Sequence, residues 1–198
     1  MFSKIVLGMF SKVLDPSALI LASGKLKQIK RSGWIKKAGI PGAESVADHS
    51  FRMAVLGMLL GEEAGLNTLK VVRMCLLHDL AESAIGDKMP EEKESESKHR
   101  ANELKVLNEI FRNLPNGLRR KLTRDAKELM ENITSESKLV WEIDKLEMGL
   151  QRLDYLDLGY SKEKLSHFNP QKLLSKQSEK ILKLYETSRI RREFPQTL

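Results

Sequence analysis

Apolar residues recur at three- and four-residue spacing along almost the whole chain, and alternating segments bounded by turn signals are nearly absent. A period near 3.6 gathers side chains onto one stripe of a helix, whereas a strand sheds them to opposite faces with a period of two. The chain is therefore predicted to be all-α. Its 198 residues are enough for one packed helical domain and too few for two large ones.

Punctuation divides that pattern into helices over about 16–30, 46–64, 68–81, 98–113, 116–132, 136–158 and 170–190. Ser32-Gly33 and Ala38-Gly39-Ile40-Pro41-Gly42 mark a loop that contains Arg31 and Trp34, and Gly65 is placed to cap the second helix. A mobile, highly charged loop is expected around Gly86, Pro90 and Glu91–Ser97. Met1–Leu14 has apolar periodicity around Lys4 and Lys12. It reads as an amphipathic helix packing on the domain rather than a signal peptide or a membrane-surface helix. No apolar run approaches the roughly 18 to 20 residues needed to cross a bilayer. The one cysteine, Cys75, stands among Met74, Leu76 and Leu77, so a buried thiol in a reducing, cytoplasmic setting is expected.

The net charge of +7 is unevenly spread. Residues 41–159 carry seventeen Lys/Arg against twenty-two Asp/Glu, so the centre is acidic and the ends are basic. Basic ends can meet nucleic acid or draw an anionic small molecule toward an acidic, metal-bearing centre. Solvated faces are the plainer explanation, and a nucleic-acid partner is not expected.

Of the four histidines, His49 and His78 lie inside apolar helical faces. A lone histidine there is more often a satisfied core residue than a ligand. Company changes that reading: Asp79 follows His78 directly, Glu82 comes one turn later, and Asp144 interrupts the apolar stretch Leu139–Leu146. Burying an unpaired carboxylate costs several kcal/mol, so two imidazoles and two carboxylates facing one core are best explained by a shared cation. Mixed nitrogen and oxygen ligation suits one divalent transition ion, such as Mn²⁺, Co²⁺, Ni²⁺, Fe²⁺ or Zn²⁺. Such an ion polarises a phosphoryl oxygen and acidifies water.

The succession His49, His78-Asp79 and Asp144 on separate helices resembles the HD-domain superfamily of metal-dependent phosphohydrolases. The flanking residues Lys30-Arg31-Ser32-Gly33-Trp34, Glu44–Ala54, His78–Asp87 and Asp144-Lys145-Leu146-Glu147 are similar to its 5′-deoxynucleotidase branch. The resemblance covers roughly residues 25–160. It implies an HD domain there, an N-terminal helical extension over 1–24, and a C-terminal helix and basic tail over 161–198 packing on the same domain. It implies hydrolysis of deoxyribonucleoside 5′-monophosphates in a homodimer, with the metal on His49, His78, Asp79 and Asp144. Glu82 matches the catalytic carboxylate that orients or deprotonates the attacking water, and Asp87 an acidic residue beside the leaving 5′ oxygen. Arg31 matches an arginine on the nucleotide, and Trp34 a tryptophan near sugar and base. Those two are adjacent in the bacterial form and are separated here by Ser32-Gly33. Read without the family, they are a surface arginine and a packed indole.

A two-metal phosphodiesterase would need further histidines between the HD pair and the last aspartate, where only His99 stands. His99 is expected at the surface and His167 in a structural turn. Two alternatives remain at this stage: a phosphohydrolase of other nucleotides, such as a deoxynucleoside triphosphate or a guanosine polyphosphate, and a non-catalytic helical protein that binds nucleotide or nucleic acid.

Overall fold

The computed structural model describes residues 14–92, 95–170 and 174–191. The helix expected over Met1–Leu14 lies outside them apart from Leu14, as does Arg192 at the end of the basic tail. Ten α-helices are described: α1 (Ser17–Leu26), α2 (Ser32–Lys36), α3 (Val46–Glu63), α4 (Thr68–Leu77), α5 (Glu82–Ile85), α6 (Glu96–Ile110), α7 (Asn116–Glu131), α8 (Ser135–Asp157), α9 (Lys162–Leu165) and α10 (Lys176–Arg191). Short 3₁₀ turns cover Pro90–Glu92 and Ser166–Phe168. Among the described residues there is no strand, only an isolated antiparallel bridge between Lys30 and Ser45. No described helix is long and apolar enough to cross a membrane.

The all-α expectation holds, and the boundaries differ where local hydrogen bonding overrides side-chain periodicity. The helix expected over 68–81 stops at Leu77. Leu80, Glu82 and Ser83 instead donate to carbonyls three residues back, at 3.0 to 3.3 Å, before α5 begins. The loop after residue 30 contains the short helix α2, which the Ser32-Gly33 breaker signal concealed. The last long helix starts at Lys176 rather than 170, and α9 with a 3₁₀ turn lies in the connection before it.

Reciprocal capping fixes the start of both long central helices. Asp48 N–H donates to Ser45 Oγ (3.1 Å) while Ser45 N–H donates to Asp48 Oδ2 (2.8 Å), and Thr134 with Ser137 does the same for α8. His49 follows directly, in the first turn of α3.

α3, α4 and α8 bury Met53, Leu60, Val71, Met74, Cys75, Val140, Ile143 and Leu146 against one another. Burial pushes the Cys75 thiol up to about 12, so it is an inert filler of that core. A second cluster joins α1, the end of α4, α6 and α7 through Leu26, Val46, Leu77, Leu107, Phe111 and Leu122. A third gathers Trp34, Ala38, Ile40, Ala43, Tyr155 and Leu165 under the loop that follows α2. That loop is closed at its base, where Arg31 N–H donates to the Glu44 carbonyl (3.0 Å) and Val46 N–H to the Ile29 carbonyl (2.9 Å). Arg31 is thereby held beside the first turn of α3.

Close approach of α3 to α4 depends on Gly57, where a Cβ would stand 2.9 Å from Cys75 Sγ and 3.2 Å from Val71 Cγ1. Both neighbours are fully buried and have nowhere to retreat. Gly57→Val is expected to destabilise the protein by about 1–3 kcal/mol through overpacking. A lowered urea midpoint at unchanged m-value would show this; an unchanged midpoint would mean that the two helices are not tightly seated there.

Candidate metal centre

Helix α3 carries His49, the tightened turn after α4 carries His78 and Asp79, and the middle of α8 carries Asp144. His49 Nε2 lies 3.4 Å from Asp144 Oδ1 and 3.6 Å from Asp79 Oδ2. One ligand atom from each of His49, His78 and Asp79 falls within 4.8 Å of the others. His49 is completely buried, and Asp79 and Asp144 are 8% and 6% exposed. The break after Leu77 brings Glu82 to the same site as Asp79. Three-residue turns eclipse side chains three apart, so the tightened turn sets Glu82 over Asp79, and both line one cavity with His78.

That cavity, of about 640 Å³, is walled by His78, Asp79, Asp144, Glu82, Asp87 and Arg31 among others. Buried polar atoms normally find partners. Here His49 Nε2 and His78 Nε2 have no hydrogen bond. These imidazole nitrogens, with His49 Nε2 beside the carboxylates of Asp79 and Asp144, form a donor set that a divalent transition ion satisfies.

The other side of His49 is already occupied. Its Nδ1 meets Glu147 Oε2, with both groups fully buried. Arg52 then closes Glu147 from behind: Nε donates to Glu147 Oε1 at 3.0 Å, with Nη2 in ion-pair range of the same oxygen at 2.8 Å, while Nη1 donates to Asp154 Oδ2 at 2.6 Å and Nη2 to Gln151 Oε1 at 2.7 Å. With Nδ1–H donating to Glu147, Nε2 is the ring nitrogen left for coordination. Glu44, also close to Glu147 and His49, accepts from Trp34 Nε1–H (2.9 Å), so this second acidic grouping is spoken for by neighbouring donors.

Electrostatics follow from packing these charges in little water. Burial works against the charged form of each, and for Asp79, Asp144 and His49 the neighbours outweigh it. His78, Arg31 and His49 hold the Asp79 carboxyl well below the usual range, and His49, His78 and Lys145 do the same for Asp144. His49 is opposed by burial and by Arg31, yet Glu147 and Asp144 raise it to about 10. Burial and the nearby Glu147 push Glu44 up to about 7.

Arg31 is no surface arginine: its side chain is 17% exposed and Nη1 donates to Asp79 Oδ2 at 3.0 Å. Glu82, 8% exposed, lines the cavity on α5 and its charge is felt by Arg31. Asp87 lines it too and accepts from the Ser32 backbone N–H. Trp34 is a packed indole, 2% exposed, between Tyr155 and Phe168. His99 is not the surface residue expected at the helix start. It is 13% exposed, pairs with Glu103 at 2.9 Å and lines the same cavity.

Sequence reasoning assigned no role to Arg52, Trp141, Lys145 or Glu147. Lys145 Nζ sits 2.7 Å from Asp144 Oδ2, and the edge of Trp141 packs on His78 with 5.2 Å between ring centroids. The available signal was Glu147 three residues after Asp144, on the same helical face and between apolar neighbours.

The HD domain family model matches residues 23–186. The human protein 5′-deoxynucleotidase HDDC2 is 36% identical over 146 residues, 73% of this chain and 70% of that one. The Xenopus laevis protein of the same name is 37% identical, with 73% and 71% covered. Among solved structures, the PH0347 protein of Pyrococcus horikoshii superposes with a TM-score of 0.68 at 31% identity, covering 85% of this chain and 96% of that one.

Removing Glu147 would leave the His49 tautomer unfixed and Arg52 with only Asp154 and Gln151. Glu147→Ala is expected to weaken metal binding about 10- to 100-fold. Titration of the metal-stripped variant with Mn²⁺ measures this, and an affinity equal to the parent's would rule out the orienting role.

Proposed function

Because the chain belongs to the HD-domain family, we infer that it is a metal-dependent phosphomonoester hydrolase, a 5′-deoxynucleotidase that releases phosphate from deoxyribonucleoside 5′-monophosphates. The observation that carries the reading is the pair of buried imidazole nitrogens without hydrogen bonds, His49 Nε2 and His78 Nε2, facing Asp79 and Asp144 at a cavity that also holds Glu82.

His49, His78, Asp79 and Asp144 would hold the ion, with the mixed donor set favouring Mn²⁺, Co²⁺, Ni²⁺, Fe²⁺ or Zn²⁺. When bound, a divalent ion supplies Lewis-acid charge for a phosphoryl oxygen and lowers the pKa of nearby water. The protein's own groups do the rest. Glu82, on the cavity wall beside the ligands, takes the proton of the attacking water and keeps its oxygen aimed at phosphorus. Arg31 spends one N–H on Asp79 and keeps further donors of its planar fork for the phosphate's non-bridging oxygens. Asp87, held by Ser32 N–H, stands at the side from which the 5′ oxygen leaves. Trp34, locked by Glu44, backs the sugar end of the cavity.

Residues 25–160 are taken as the HD domain, with 1–24 as an extension and 161–198 as a helix and tail on the same body. A cytoplasmic homodimer completes the reading, the setting resting on the lone buried thiol and the homodimer on the family resemblance.

Chelator treatment is expected to abolish phosphate release from a panel of deoxyribonucleoside monophosphates, with Mn²⁺ or Co²⁺ restoring it. Glu82→Gln should retain the metal and lower kcat about 10²- to 10⁴-fold. Full turnover by that variant, or release only from triphosphates or guanosine polyphosphates in the panel, would sink the assignment.

A further inference from the structure

The cavity is longer than its metal end. Along α8 its wall runs from Trp141 and Asp144 through Lys145 to Met148, one helical turn or about 6 Å beyond Asp144. At that end it meets Phe168, brought in by the 3₁₀ turn Ser166–Phe168 from the connection between α8 and α10. Phe168 is half-buried, and it packs with Met148 against the third apolar cluster.

Two aromatic rings stand there, and they are not equivalent. Trp34 is 2% exposed and its N–H is committed to Glu44. Phe168 lies on Trp34 with ring centroids 4.0 Å apart and planes 31° from parallel, so one of its faces is covered. Its edge passes over Gly33, where a Cβ would stand 3.3 Å from Phe168 Cε1. This close approach gives the Ser32-Gly33 spacing between Arg31 and Trp34 a physical role: Arg31 stays on Asp79 while the chain turns Trp34 inward and leaves room for Phe168. The partly exposed remainder of the Phe168 ring is the aromatic surface open at this end. Trp141, the other aromatic on the wall, is occupied at the metal end by His78 against its edge and by Lys145 Nζ 5.9 Å from its ring centroid.

We propose that Phe168 is the platform on which the base of the nucleotide lies, with Trp34 as the rigid support behind it. The inference rests on the deoxynucleotidase reading and extends it to base recognition. Stacking on a phenyl face discriminates weakly among bases, because every base offers a π-face. The site is thus built to take several bases and to reject a phosphoester that lacks one.

The test compares kcat/KM for dAMP with that for deoxyribose 5-phosphate, the same phosphoester without a base, in the metal-loaded full chain. Phe168→Ala is expected to narrow the preference for dAMP about tenfold or more, the loss falling on dAMP through KM. Phe168→Leu, which keeps the apolar packing on Trp34 and Gly33, should lose the same preference, and Phe168→Tyr should restore it. Equal losses on both substrates, or a leucine variant indistinguishable from the parent, would overturn the platform. Parent enzyme that releases phosphate from neither compound would instead overturn the phosphatase reading itself.

Discussion

The structure depends on compensating acid in the dry centre of a small protein. Asp79, Asp144 and Glu147 crowd a single imidazole, His49, with Glu44 beside them, and three cations answer: Arg31 on Asp79, Lys145 on Asp144 and Arg52 on Glu147. Breaking one member of such a buried group costs several kcal/mol, because its partner is left charged and unsolvated. This cluster adds polar ties between α3 and α8, already packed through their apolar faces, and links the turn after α4 to the loop around Arg31.

The same compensation leaves a deliberate deficit. Every carboxylate near His49 has a cation or a donor, whereas the Nε2 atoms of His49 and His78 have none. The Nδ1 side of His49 is fixed by Glu147 and its Nε2 side is open, so the site is arranged for a ligand before one arrives. Preorganisation of this kind is what makes positioned charges effective in catalysis.

Much of this was legible in the sequence. An aspartate in the apolar run Leu139–Leu146 and a histidine in each of two apolar faces cannot be buried without reason, and periodicity put them on helices that do pack together. Other features were not. Arg52 looks like any helical surface arginine, since its partners lie 95 to 102 residues away. The break after Leu77 comes from a competition between three- and four-residue hydrogen bonds that side-chain type does not record. The inward turn of Trp34 required knowing that Phe168, from a distant connection, would cover it. Long-range packing, absent from any local window, decided each of these.

The reach of Arg52 has a consequence in time. A chain is made from its N-terminus, and this guanidinium emerges about a hundred residues before the carboxylates and amide it will grip on α8. Helices α3 and α4 are contiguous and can pair early through their shared apolar face, since local contacts cost little loop entropy. The polar pocket cannot form with them. His49 must wait for Glu147 to choose its tautomer, and Asp154 in turn accepts from Tyr185 of α10 at 2.7 Å. The polar pocket thus needs α8 as the pairing of α3 with α4 does not, and a chain interrupted before α8 carries His49, His78 and Asp79 without Asp144 or Glu147.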